Sequence, residues 1–314
     1  MKHFKIATLL LLAIVTFPLL SAEKSILESK LRTAAANGDI ATLVKLLDVD
    51  HVDINARNKV GITALMQAAE EGQIKAVGEL LTRGANVNER SENGETALTY
   101  AAENGESVIT AMLLERGADL YARTRAGWNA LMIAAKYGLT DMVDQLLFKG
   151  ADIRSADKHG KTAAILAAEG DHTDVVKMLL KAGAQVNCRD DNKTTLLMIA
   201  ADKDYPDLAK LLISHHASLD MQDNDGATAL IWAASAGHED IAKLLLEAGA
   251  NPDVQDNDGM TALMEAAANG DTNMVKLLLD YNANPALKNK AGKDALAIAK
   301  KKGNEEIVKL LSSN

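Results

Sequence analysis

The feature that most constrains this chain is an internal repeat of 33 residues. Segments of the form Gly-x-Thr-Ala-Leu recur in register, placing Thr63, Thr96, Asn129, Thr162, Thr195, Thr228, Thr261 and Asp294 in equivalent slots, each 33 residues from the last. Two further blocks recur in each unit. One is Ala-Ala-x-x-Gly, as in Ala68 to Gly72, and the other is Val-x-x-Leu-Leu-x-x-Gly-Ala, as in Val77 to Ala85. A period of this length holding two short helical patterns marks stacked helical pairs, in which each unit contacts only its neighbours. The chain is 48% hydrophobic but only 3% aromatic, which suits many small, closely packed helices better than a sandwich or barrel.

Each block has a physical reading. The Thr slot precedes the first helix, where a hydroxyl accepts from an unpaired backbone N–H as an N-cap. Ala68-Ala69 and their counterparts let neighbouring first helices approach closely, while Leu65, Leu98, Leu131 and Leu230, with Leu80-Leu81, fill the space between layers. Gly84, Gly117, Gly150, Gly183 and Gly249 follow the second helix, where a left-handed C-cap favours Gly. Asn93-Gly94 and Asp258-Gly259 form tight turns at the tips of projecting loops.

These residues resemble the ankyrin repeat family, whose pattern runs Asp-x-x-Gly-x-Thr-Pro-Leu-His-x-Ala-Ala-x-x-Gly-His, then a second helix and Gly-Ala-Asp-Val-Asn. The closest local matches are Asp225 to Leu230, Ala233 to His238, and Gly249-Ala250-Asn251. The resemblance implies an all-α solenoid of helix-turn-helix units with finger loops. It divides the chain into an N-terminal cap over residues 23–55, seven full repeats over about 56–287 and a C-terminal cap over 288–314. Pro of the family motif is mostly Ala here (Ala64, Ala97, Ala130), and its His is mostly Met or Ile (Met66, Met132, Ile165, Met198, Met264). The inter-repeat hydrogen bonds that the family makes through that His are therefore not expected from this slot.

Residues 1–22 read as a signal peptide: Lys2, His3 and Lys5 precede an apolar run from Ile6 to Leu20 that ends at Leu20-Ser21-Ala22-Glu23. The run is shorter than the ~20 apolar residues that span a bilayer. Export follows, to the periplasm or envelope in preference to full secretion, with no membrane insertion after cleavage. The formal charge is −9, and more negative once a leader holding Lys2 and Lys5 is removed. Such a surface repels phosphate, so no nucleic-acid partner is expected. Cys188 is the single cysteine and supports neither a disulfide nor a cysteine-based zinc cluster.

No catalytic constellation is legible, and the chain is read as non-enzymatic, with no cofactor and no metal site. His172 and His238 fall in or near a structural slot, and His215-His216 lack the i, i+4 spacing of paired ligands. Asp256-Asn257-Asp258-Gly259 has the look of a calcium loop but carries Val254 where that loop needs an acid. Cys188 reads as a loop residue. What remains is a monomeric scaffold for a protein partner, bound through the concave groove and fingers. The alternatives are a secreted effector acting on host proteins and a hydrolase with dispersed residues.

The expected contact residues are Arg123, Arg125, Trp128, Tyr137, Asp223, Asp225, Asp256 and Asp258. Trp128 stands where sister repeats hold Ile62, Glu95, Lys161 and Ala227, and Tyr137 where they hold Glu71, Asn104 and Ala236, so stacking does not require either ring. The resemblance puts them beside each other on the concave face, next to Arg123 and Arg125. Aromatic and Arg side chains most often carry binding energy. Fingertips are basic early (Arg57, Lys59, Arg90, Lys158) and acidic late, which fits a partner of complementary charge. Tyr100, Ile133, Leu166, Ile199 and Trp232 share a first-helix slot read as packing. The repeat headed by Thr195 replaces three glycines, with Lys193, Asp204 and His216, and is expected to be the weakest.

Overall fold

The computed structural model describes residues 22–313. The expected leader lies, except for Ala22, outside the described residues. A helix covers residues 22–36, and Ile40–Asp48 completes the N-terminal helical pair. Thereafter first helices of seven or eight residues, such as Ala64–Glu70 and Ala229–Ala236, alternate with second helices of nine, such as Ile74–Thr82 and Glu239–Glu247. Among the described residues there is no β-strand; two isolated bridges, Ala156 to Thr162 and Arg189 to Thr195, are the only extended pairings.

The chain divides into two compact units. The first comprises the described residues to Ala134 with Asp141–Asp152, and the second comprises Ala135–Thr140 with the residues from Ile153. In the first unit, Ala64–Glu70 packs on Ala97–Glu103, and Ile40–Asp48, Ile74–Thr82 and Ser107–Glu115 pack in succession. In the second, the first helices from Ala163–Glu169 to Ala295–Lys302 pack each on the next, as do the second helices from Thr173–Lys181 to Glu305–Ser313. Each unit is thus an all-α solenoid.

The helix starts follow from one slot. Oγ1 of Thr63, Thr162, Thr195, Thr228 and Thr261, and a side-chain oxygen of Asn129 and Asp294, each accept from the backbone N–H three residues on, at 2.8 to 3.5 Å. Thr96 does the same for Thr99, whose hydroxyl oxygen accepts in turn from the Thr96 N–H, so two backbone donors at the helix start are satisfied. Behind the caps, Ala68, Ala69, Ala101 and Ala102 have no exposed surface, which is what permits close helix approach.

Glycine has two reasons here. At Gly84 the backbone is left-handed (φ +82°) with open space around a would-be Cβ, so conformation alone selects it. At Gly94 a Cβ would lie 2.6 Å from the Arg123 carbonyl oxygen of the next finger, so close approach selects it as well. Lys193, Asp204 and His216 are left-handed too (φ +60°, +58° and +59°), as the substituted glycines implied. They are three of the six non-glycine residues with positive φ among those described, and they fall in one repeat.

Candidate partner-binding surface

The fingers are built by polar slots that repeat as faithfully as the apolar ones. At the start of each finger a short side-chain oxygen accepts from the N–H groups two and four residues on: Asn58 from Val60 and Ile62, Asp190 from Asn192 and Thr194. This closes the turn by local side-chain to backbone bonding, for which Asn, Asp and Ser are suited. Asp223 and Asp256 occupy that slot. Asp223 Oδ1 accepts from Asp225 and Ala227, both at 2.9 Å, while its Oδ2 accepts from Trp232 Nε1 at 2.9 Å. Asp256 Oδ1 accepts from Asp258 at 2.8 Å and Met260 at 2.7 Å. With 8% of its surface exposed, Asp223 is part of the scaffold.

One residue before lies a second committed slot. Arg57 Nη2 donates to the Arg90 carbonyl at 2.7 Å, and Gln222 Nε2 donates to Gly226 O and to Gln255 O of the next finger. Arg123 holds this position, and its Nη1 donates to Gly127 O at 3.0 Å. Arg123, Asp223 and Asp256, which stand among the expected contact residues, therefore each have a role within the fingers. Their polar atoms brace fingers, because a projecting loop has no core of its own and must satisfy its backbone through side chains.

Arg125, Asp225 and Asp258 remain exposed at the tips. Their backbones join fingers in a ladder, with Arg125 N donating to Asn93 O at 2.6 Å and the carbonyls of Asp225 and Asp258 accepting from Asn257 and Lys290. The carboxylates of Asp225 and Asp258 enter none of these bonds. Trp128 is half-buried in the first unit, where it lines a cleft of about 450 Å³ with Asn93, Glu95, Glu103, Thr124 and Arg125. Tyr137 belongs to the second unit, with 49% of its surface exposed and Lys136 Nζ 5.3 Å from its ring centre.

In the first-helix slot read as packing, Tyr100, Ile133, Leu166 and Ile199 are buried, with Tyr100 OH donating to Glu95 Oε2 at 2.7 Å, and Trp232 is half-buried. In the next repeat the same slot holds Glu265, whose carboxyl is pushed up by burial and then by the neighbouring Asp256 charge. Cys188 is half-buried, and burial raises its thiol, while Thr162 Oγ1 donates to Sγ at 3.7 Å; a raised thiol is a poor nucleophile. His172 and His238 are structural: their ring nitrogens reach the Lys136 and Ala201 carbonyls at 2.9 and 2.8 Å, and Asn304 does the same to Ala267. Inter-repeat bonding thus runs from the slot before the second helix.

A family model described as ankyrin repeats (3 copies) matches residues 31–124, 121–190, 182–256 and 248–314. The chain belongs to the ankyrin repeat family. Its repeats form a module for protein–protein interaction of a kind that is generally non-enzymatic. A comparison with the curated proteins finds no match. Among the described residues, no ankyrin helix is long and apolar enough to cross a membrane, and no group of three or more His, Cys, Asp or Glu is placed to hold a metal ion.

Two exposed aromatics escaped the sequence reading. Phe148 is 87% exposed at the end of Thr140–Phe148, and Tyr121 is 61% exposed in the loop after Ser107–Glu115. Slot comparison carries the signal. Sister ankyrin repeats place Thr82, Glu115 and Lys181 where Phe148 stands, and Asn55, Asn88 and Asn187 where Tyr121 stands.

Proposed function

We propose that the protein is an exported, monomeric, non-catalytic scaffold that holds a protein partner along its concave groove and fingers, in the periplasm or cell envelope. The observation that carries this reading is the division of the polar slots. Turn-closing and finger-bracing positions repeat, whereas the slot of Trp128 changes chemistry freely (Ile62, Glu95, Lys161) and stays accessible. A stack that needs nothing from a position leaves it to be set by what binds there. Arg125 and Trp128 in the first unit, and Tyr137 in the second, are each expected to carry partner contacts, with Asp225 and Asp258 as peripheral charges steering association.

The test is cross-linking and pull-down of the native partner, repeated with Trp128→Ala and Tyr137→Ala. The reading expects partner binding weakened tenfold or more, about 1.4 kcal/mol, with the melting profile unchanged. Retained binding, or loss of folding, places the hot spot elsewhere. Cell fractionation with and without residues 1–22 tests the address: recovery from the medium in place of the periplasm favours an effector acting on host proteins.

A further inference from the structure

The C-terminal cap turns the partner-facing slots basic. We propose that its concave side receives an acidic segment of the partner polypeptide, whose carboxylates pair with Lys288, Lys290, Lys293, Lys301 and Lys302. This rests on reading the concave side as the partner surface, and adds what the partner presents at that end.

Slot correspondence carries this inference. Counted in steps of 33, Arg123, Arg125, Trp128 and Tyr137 correspond to Lys288, Lys290, Lys293 and Lys302, so all the slots of that set become lysine in the cap. Arg125 and Trp128 line a cleft beside Asn93, Glu95 and Thr124, which shows the side of the repeat that their slots face. Lys301 joins them from the first-helix slot that holds Lys136, Glu169 and Asp202 in earlier repeats. A helix end with its negative dipole suits lysine, but it does not require it, because sister first helices end in Glu70, Glu169 or Asn269.

The fold leaves these cations available. Lys288, Lys290, Lys301 and Lys302 are exposed and Lys293 is half-buried. Lys203, Lys210, Lys243 and Lys276 of the same unit each pair with a carboxylate, whereas among the described residues none of the cap lysines in the proposal does. Arg57 and Arg123 brace fingers with their guanidinium groups, but Lys288 enters the bracing through its carbonyl, which accepts from Gln255 Nε2 at 3.0 Å. The turn here is closed by a neutral residue: Asn289 Oδ1 accepts from Ala291 and Lys293, both at 3.0 Å, where the three preceding fingers use Asp190, Asp223 and Asp256. Asp294 is engaged as the helix cap, accepting from Ala297 N at 2.8 Å. The whole cap, residues 288–314, holds seven lysines against Asp294, Glu305 and Glu306, in a chain of formal charge −9. Lysine is a point charge with rotatable donors, so it accommodates carboxylates spaced along an extended chain. An exposed pair contributes little singly, and the segment must therefore bring several acids. A bilayer or a nucleic acid presents negative charge over a longer distance and would also meet Asp258 and Glu265 of the preceding repeat; a short acidic stretch need not.

The probes are an amidated peptide with consecutive glutamates between Gly-Ser flanks, carrying an uncharged fluorophore, and its glutamine counterpart. Fluorescence anisotropy at low ionic strength, where exposed charges are screened least, reads binding to the protein. The glutamate peptide is expected to bind saturably, and the glutamine peptide about tenfold more weakly or worse. Joint replacement by Lys288→Gln, Lys290→Gln, Lys293→Gln and Lys302→Gln should weaken the glutamate peptide about tenfold or more, with an unaltered melting profile. Should that variant melt lower, Lys290→Gln with Lys302→Gln, both at exposed positions, is read in its place. A control with Lys177→Gln, Lys181→Gln, Lys210→Gln and Lys243→Gln removes the same charge from exposed second-helix positions and should leave binding within about twofold. Equal binding of both peptides, no binding, or equal weakening in the control overturns the inference. Sedimentation of the parent but not the cap variant with phosphatidylglycerol vesicles, without binding of the glutamate peptide, assigns the face to an anionic membrane and overturns it too. If capture of the native partner persists in any of those cases, the scaffold reading stands while the acidic-segment assignment falls.

Discussion

Lys193→Gly should stabilise the protein, and it should do so locally. In sister repeats the Lys193 position is Gly94, Gly160, Gly226 or Gly259, all left-handed. An L-residue there costs roughly 1–2 kcal/mol, and Gly gives back about 0.5–1 kcal/mol through its freer unfolded chain, so the net gain is at most about 1 kcal/mol. The crowding is visible at equivalent turns: a Cβ on Gly226 would lie 2.7 Å from Asn257 N. At the Lys193 turn Asn224 N still donates to Asn192 O at 3.0 Å, so the ladder bond to the following finger is kept. Asp204 and His216 add less each, since Asp and His tolerate this region better than Lys, and Pro206 at the start of Pro206–Ser214 offsets part of it. Because a solenoid sums unit and interface terms, the deficit stays near residues 190–216. Amide hydrogen exchange read by mass spectrometry should show faster exchange there than over residues 223–249. Lys193→Gly should slow it by up to about fivefold, the equivalent of about 1 kcal/mol. Uniform protection across the central repeats, or faster exchange in Lys193→Gly, would refute the reasoning.

Thr110 has no exposed surface and its Oγ1 has no partner, in a slot where sister repeats hold Val77, Val143 and Val176; Thr110→Val should stabilise by about 1 kcal/mol in urea denaturation. Asp223→Ala removes two turn bonds and the partner of Trp232 and should cost about 2 kcal/mol, whereas Asp225→Ala should stay within about 0.5 kcal/mol. Equal costs would show that the turn slot does not brace the finger. For Glu265, burial and Asp256 raise the folded-state value above the ordinary 4.5, so ionisation opposes folding as pH rises through that window. Glu265→Gln should therefore melt higher than the parent at neutral pH and lose that advantage in acid; a constant difference at every pH would exclude the cause.

The period, the helix caps and the apolar stripe were legible in the sequence because each depends on one residue type recurring at a fixed spacing. Thr63 caps a helix in isolation as well as in a stack. The polar slots were harder to read, because their role depends on a second repeat. Nothing in Arg123 alone distinguishes a guanidinium bracing a loop from one waiting for a ligand. Nothing in Asp223 and Asp225, two residues apart, says that the first is buried under Trp232 and the second is free. Alignment of the repeats on each other holds part of the answer: a position that is Asn58, Ser91, Thr124, Asp157, Asp190, Asp223, Asp256 and Asn289 always offers a short side-chain oxygen, which is the requirement of a turn and not of a partner.

The same division changes what fingertip charge can do. Counted from the sequence, the row runs from basic to acidic, and a partner of matching polarity follows. Once Arg57 and Arg123 are bound to carbonyls, Arg90 is paired with Asp119 at 3.3 Å, and Asp190, Asp223 and Asp256 are closing turns, those charges sit close to groups that absorb their field or their hydrogen bonds. In the first unit the tips retain Lys59, Glu92 and Arg125, a mixture with little net sign; in the second, Asp191, Asp225 and Asp258 stand with Lys158 and Lys290. Exposed charges of this kind act over about a Debye length, roughly 8 Å at physiological salt, and contribute to encounter more than to the bound state. Salt should accordingly slow partner association modestly and leave dissociation almost unchanged, because the contacts proposed to resist dissociation are those of Trp128 and Tyr137.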